Sequence, residues 1–311
     1  MAYQLVSMNY FSRAMVCLLV ILCLGSCSGE ADSFGLEPRE IRFEIMDLDK
    51  ESLVAEAKIL AVGSSKEKVL PEERAIVRLA LTRGDAAYLE TGDVCRGRLS
   101  DASGEPFAVD GIWPDDTGLW ERLDQANSDL RRDVERRKGS ATRAVGALLS
   151  EFAVIDQDGD LLQSSFLKGK ITLINFFFTR CPNPKMCPTA TQRLKVMLEK
   201  ADEAGVPNLQ VLSLSFDPKH DSPGILKDYS HAYKLDENRF RLGTGPSLLM
   251  KDLRQQIGIA TRKDPKLVID HTFRIAVIDE HRRIIAEILG PDWSVENTLA
   301  RIRTLVQEEK K

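Results

Sequence analysis

The sequence predicts an α/β unit in the C-terminal half of the chain, preceded by a small β-rich unit. Two patterns carry this prediction. Residues from about 38 to 119 run in short alternating apolar and polar stretches broken by Gly/Asp turn signals. From Phe152 onward, strand-like apolar runs alternate with amphipathic helical stretches, the order of an α/β architecture. At 311 residues the chain has room for two cores, on a prior of roughly 150 residues each. Hydrophobic residues at 43% and charged residues at 29% are the balance of a folded chain rather than a disordered one. A net charge of −4 excludes a general nucleic-acid binder, which needs a basic excess to release counterions, so no nucleic-acid partner is expected. The only long apolar run is N-terminal, which excludes a multi-pass membrane protein.

That run, Ala14 to Leu24 behind Arg13, is about 11 residues long, too short to span a bilayer and the right size for a signal-peptide core. It ends in Leu24-Gly25-Ser26-Cys27, which resembles the lipobox of bacterial lipoproteins. The expectation is a signal peptide over 1–26, a lipidated Cys27 and a tether over 27–37. A diacylated cysteine holds a protein on a membrane without a spanning helix, because two chains anchor stably where one does not. An ordinary cleaved signal and an uncleaved anchor are the alternatives. The expected location is the bacterial cell envelope, anchored by Cys27 and facing the periplasm or exterior.

This placement bears on the six cysteines. Cys17 and Cys23 fall in the signal core and Cys27 is the lipidation site, leaving Cys95, Cys181 and Cys187 in the body. Three thiols in an oxidising compartment do not make a disulfide framework; one purposeful pair and an odd residue fit better. In the β-rich unit, 38–119, strands such as Ile41–Ile45 and Ala75–Leu81 are separated by Arg83-Gly84-Asp85 and Thr91-Gly92-Asp93, the pattern of a sandwich or barrel. It contains no His, and Cys95 reads as an inward, inert small hydrophobe. Residues 120–147 read as a charged linker, with mixed charges at helical spacing from Glu121 to Lys138 predicting a solvated connecting helix.

The unit over 148–311 follows in order. Val154–Gly159 is a strand entering an Asp-Gly turn, and Ile171–Phe178 has the continuous β-branched and aromatic run of a strand buried on both faces. A helix follows Pro188 with Ala190, Leu194, Met197, Leu198 and Ala201 on one stripe. Leu209–Leu214 is the next strand; Ser222-Pro223 starts a helix, and another lies near Leu248–Ile257. Strands Thr272–Ile278 and Arg283–Leu289 precede a final helix from Ser294. The sequence β-α-β-α, then β-β-α, is that of a thioredoxin-like domain.

Chemistry concentrates in three segments of that domain. In Phe178-Thr179-Arg180-Cys181-Pro182-Asn183-Pro184-Lys185-Met186-Cys187-Pro188, two cysteines bracket a loop between a buried strand and a helix. The positive end of the helix dipole favours thiolate there, the form that binds metal or attacks disulfides. His271 follows Asp270 at the entry to the next-to-last strand, and Ser215-Phe216-Asp217-Pro218-Lys219-His220-Asp221 leaves the strand after the cysteine loop.

Together, Phe-Thr-Arg-Cys-Pro before the first cysteine, the Asp217-to-Asp221 loop and Asp270-His271 resemble the SCO/SenC family of membrane-tethered, thioredoxin-fold copper proteins. The resemblance implies a site of Cys181, Cys187 and His271 that holds Cu(I) and Cu(II), with Asp217 and Asp221 in a loop for partner contact or copper handling. It implies as partner the copper-bearing subunit of cytochrome c oxidase, whose binuclear centre these proteins help to assemble. Two thiolates and an imidazole suit three-coordinate Cu(I), whereas structural zinc normally takes a fourth ligand. Two features depart from the family. Five residues, Pro182 to Met186, separate the cysteines where the family has three. The β-rich unit is additional, and with Met46 but neither His nor a Met cluster it gives no support for a second copper site. A thiol-disulfide oxidoreductase using Cys181 and Cys187 is the competing function, and a peroxidase-like enzyme the weaker third. His220, His231 and His281 are left out of the site.

Overall fold

The computed structural model describes residues 35–63, 71–101, 104–138, 141–262 and 270–309, with the side chains of 261–262, 270–271 and 309 left aside. The signal sequence and Cys27 lie outside the described residues. Among those described, no helix is long and apolar enough to cross a membrane.

The first unit is a barrel. Strands β1 (Glu40–Asp49), β2 (Val54–Val62), β3 (Ile76–Ala80), β4 (Val94–Asp101) and β5 (Phe107–Pro114) close in the order β1-β2-β3-β5-β4. β1 pairs antiparallel with both β2 and β4 and so seals the ring, while β3 and β5 run parallel. The alternation read from the sequence is the reason: in β1 every second residue from Ile41 to Ile45 is buried, and these side chains fill the interior with Ile59, Leu79, Leu99 and Ile112. Arg83-Gly84-Asp85, expected as a turn, is instead the opening of helix α1 (Arg83–Tyr88), because Thr82 caps it by accepting from the Asp85 N–H at 3.0 Å.

The expected solvated linker is also corrected. Residues Thr117–Arg137 form helix α2, whose charges cover only one side; Leu119, Leu123, Leu130 and Val134 are buried in the core of the second unit. Asn127 ties the helix down further, donating to Ala153 O and accepting from Ala153 N.

The second unit is built on strands β6 (Ala153–Asp156), β7 (Leu161–Gln163), β8 (Ile171–Phe177), β9 (Leu209–Ser215), β10 (Phe240–Thr244), β13 (Arg274–Ile278) and β14 (Ile284–Leu289), ordered β14-β13-β8-β9-β10-β6-β7. Its remaining strands, β11 (Thr261–Arg262) and β12 (Asp270–His271), form a separate ladder. Helices α3 (Cys187–Ala201), α4 (Pro223–Tyr233), α5 (Ser247–Ile257) and α6 (Val295–Glu309) connect and cover the sheet. β8 and β9 are parallel neighbours joined through α3, and β13 runs antiparallel to β8 and hairpins into β14. This four-strand order, with its crossover helix, is the thioredoxin-like topology that the element order predicted. Every residue of β8 and β9 is buried, which is why both read as mainly apolar runs without alternation, and their polar side chains pair inside the sheet, Gln210 with Thr172 and Ser213 with Asn175. The carboxyl ends of β8, β9 and β10 open on one edge of the sheet, and the cysteine loop leaves from there.

Candidate metal centre

β8 ends at Phe177, and the chain turns through Thr179 and Arg180 to reach Cys181, which is half-buried. Cys187 is buried and is the first residue of α3, with Pro188 next to it in the first turn. Asn183 organises the five-residue segment between them. Its carbonyl accepts from the Met186 N–H at 3.0 Å, and its side-chain oxygen from the Lys185 N–H at 3.1 Å. Thr189 Oγ1 then donates to Pro184 O at 2.7 Å, fastening the loop to the first turn of α3. The extra length is therefore taken up in a local turn, and the two cysteines still meet.

The meeting has an electrostatic consequence. The Cys187 thiol donates a hydrogen bond to the Cys181 sulfur, and backbone N–H groups of Cys187 and Asn183 add to it. These donors outweigh desolvation and lower Cys181 to about 6. Cys187, the donor, is pushed upward by that same hydrogen bond and by burial. One thiolate and one thiol at a helix N-terminus follow at neutral pH; no disulfide joins them in this structure.

A ring of polar contacts fixes where Cys181 stands. Asp221 is fully buried and accepts from Thr179 Oγ1 at 2.6 Å, from the Thr179 N–H at 3.3 Å and from Ser215 Oγ at 2.6 Å. Ser215 Oγ in turn accepts from the Asp217 N–H at 2.9 Å, and Asp217 Oδ2 accepts from Arg180 Nε and Nη2 at 2.9 and 2.6 Å. The residues flanking Cys181 are thus laced to the loop after β9. Burial raises the Asp221 carboxyl above its usual range, against the pull of its three donors. Beneath the ring, Phe216 packs on Phe176 and Phe178, and Tyr229 of α4 bonds Thr191 of α3 at 2.9 Å.

With no exposed surface and three donors, the Asp221 carboxylate positions the loop after β9 against the residues that flank Cys181. Asp217 is largely covered by its pairing with Arg180. Thr179, Ser215 and Asn183 are the structural residues that sequence reasoning missed. Ser215 offered the one usable signal, a hydroxyl at the carboxyl end of a buried strand, directly ahead of the Asp217-to-Asp221 loop.

His271 lies on β12, paired with Thr261, rather than on the entry of the main-sheet strand, which starts at Arg274. Its backbone is three residues ahead of β13, the antiparallel neighbour of β8, and so on the edge from which the cysteine loop leaves. Its side chain is outside those described. Among the described residues no group of three or more His, Cys, Asp or Glu is arranged to hold a metal.

The SCO1/SenC family model matches residues 140–307, more than half of the chain. The chain belongs to the SCO1/SenC family. It is 30% identical over 190 residues to the mitochondrial SCO2 protein of Saccharomyces cerevisiae, an overlap of 58% of this chain and 61% of that one, so it spans about three fifths of that relative's length. Among solved structures, a SCO1/SenC family lipoprotein from Bacillus anthracis is 25% identical, with a TM-score of 0.48 over 53% of this chain and 99% of that one. Yeast Sco1 with copper bound is 22% identical, with a TM-score of 0.45 over 53% of this chain and 90% of its own. The SCO1/SenC match begins just ahead of the thioredoxin-like unit and runs through it; the barrel stands outside the match.

Proposed function

We propose that this protein is a copper metallochaperone of the bacterial envelope, tethered through Cys27, that delivers or prepares copper for the binuclear site of cytochrome c oxidase. Cys181, Cys187 and His271 are its metal ligands. The observation that carries the reading is the cysteine pair itself, a lowered thiolate beside a second sulfur on a loop anchored at the sheet edge. Family membership supports it, since residues 140–307 contain all three ligands. The donor set fits the metal: soft sulfur selects Cu(I), and a three-ligand site leaves a position through which an acceptor's thiolate can enter and take the ion. Thr179, Asp221 and Ser215 hold the first thiolate in place, so that little reorganisation is needed when the ion arrives.

The test is an anaerobic Cu(I) titration of the reduced protein against a competing chelator, with Cys181→Ala, Cys187→Ala and His271→Ala alongside. One tightly held copper, weakened in every variant, is expected. Binding no tighter than that of a simple dithiol, or unaltered by His271→Ala, overturns the three-ligand site and returns the thiol-disulfide reading.

A further inference from the structure

The barrel and the thioredoxin-like unit meet where α1 packs on the start of α4. Gly84 and Gly224 make this contact backbone to backbone. A Cβ on Gly84 would stand 1.8 Å from the Gly224 carbonyl oxygen, and one on Gly224 would stand 1.9 Å from Asp85 Oδ1. Asp85 is therefore pressed into the seam, 1% exposed. Its Oδ2 accepts from Thr82 Oγ1 at 2.9 Å, but its Oδ1 has no hydrogen-bond partner. The groups facing it offer no compensation. Asp228 of α4 and Asp110 of β5 are acidic, and the half-buried Tyr88 of α1 and the buried Cys95 of β4 are themselves pushed upward. The nearby cations are turned elsewhere: Lys227 of α4 is held by Asp158 and Glu237, and Arg83 is exposed.

We propose that Asp85 is a proton-operated latch on this seam: with its carboxyl protonated the barrel stays closed on α4, and once ionised it is an unpaired buried anion that loosens the contact. The geometry requires such a choice, because a buried carboxylate with an orphaned oxygen costs far more than a buried acid. Burial, opposed by the two Thr82 hydrogen bonds, raises the carboxyl to about 7. In an opened seam it returns toward the ordinary value of about 3.9. The closed state then binds more protons than the open one, so closure weakens as pH rises between those two values and is constant above the higher. The opening constant climbs by up to about tenfold per pH unit inside that window.

The latch sits close to the site. α4 starts at Pro223, directly after the Asp221-Ser222 end of the anchoring loop. A cleft of about 560 Å³ lies along the same seam, lined by Arg98, Asp110 and Trp113 of the barrel and by Pro218, Lys219 and His220 of that loop. Loosening the seam near neutral pH widens this cleft, whether or not the cysteines carry metal.

Hydrogen exchange of the full chain tests the latch. It is read at the amides of α1 and α4 and corrected for the intrinsic rate, from about pH 5 to about pH 8.5, in wild type and Asp85→Asn. In wild type, seam opening should rise by close to tenfold per pH unit up to about pH 6.5 and level off above about pH 7.5. Asp85→Asn should hold the seam closed at every pH. Gly224→Ala, a steric wedge, should open it at every pH. A flat wild-type profile overturns the proposal whatever the variants do, as does a wild-type slope retained in Asp85→Asn. Exchange in β8 and β9 that rises in parallel also overturns it, by making the effect global unfolding.

Discussion

Cys95 and Cys181 are the same residue in two regions that treat it oppositely. Cys95 sits on β4 opposite Phe43 and Pro114 in the barrel wall, 1% exposed, and burial with the acidic neighbours Asp93, Asp85 and Asp115 pushes its thiol far upward. Cys181 stands on a loop beside a helix N-terminus, with a second thiol and two backbone N–H groups aimed at it, and is lowered to about 6. Partial burial alone would have raised Cys181 too; donors decide the difference. Reactivity in this chain is thus a property of the sheet edge, and the barrel wall uses cysteine as an apolar filler.

The largest effect that can break this contrast is the alkylation rate of the two thiols in the folded protein. At pH 7, Cys181 is expected to react at least about a thousandfold faster than Cys95, because the latter needs both unfolding and deprotonation. Mass spectrometry of iodoacetamide-treated native protein reads both sites at once. Comparable labelling would mean that the barrel wall opens far more easily than its packing implies.

Next in size is the anchor beneath the reactive loop. Asp221→Ala strands the Thr179 and Ser215 donors in a buried site, and the expected loss is about 3 kcal/mol of folding stability by urea denaturation. Cys95→Ala, which removes only packing, should cost about 1 kcal/mol. Equal losses would show that the loop rests on its apolar floor of Phe176, Phe178 and Phe216 rather than on the polar ring. Removing the second thiol sharpens the contrast further. In Cys187→Ala the main donor to Cys181 is gone, and the midpoint of thiolate absorbance should rise by about 2 pH units toward the ordinary cysteine value of about 8.5.

How far these two regions could be read from the residues differs for physical reasons. The runs Ile171–Phe178 and Leu209–Leu214 announced central strands because burial on both faces leaves no polar alternation, and the cysteine pair with its helix was visible as strand, loop and proline. Hydrogen bonds between segments distant in sequence were not visible: Thr179 reaches Asp221 across 42 positions, and nothing local marks the pair. Gly84 was misread for the opposite reason. A glycine suggests a turn, yet here it permits a close backbone approach to Gly224 within a capped helix. The amphipathic α2 was read by its charges, and its four buried apolar residues spaced around them decide its place.

The smallest expected effect concerns Arg180, the cation next to Cys181 in the chain. A neighbouring guanidinium is an obvious candidate for stabilising a thiolate, yet its Nε and Nη2 are committed to Asp217 and the side chain is about half exposed. Solvent screening at such a site limits the pair to under about 0.5 kcal/mol, so Arg180→Ala should hardly move the urea midpoint. The Cys181 titration should likewise stay within about 0.3 pH units of wild type, since the donors that lower it come from Cys187 and Asn183. A rise of more than about one pH unit would transfer the cause of the reactive thiolate from the second cysteine to the arginine. Run beside Cys187→Ala, this variant separates a thiolate made by the pair, which a soft metal ion can bridge, from one made by a surface charge, which favours attack on a disulfide.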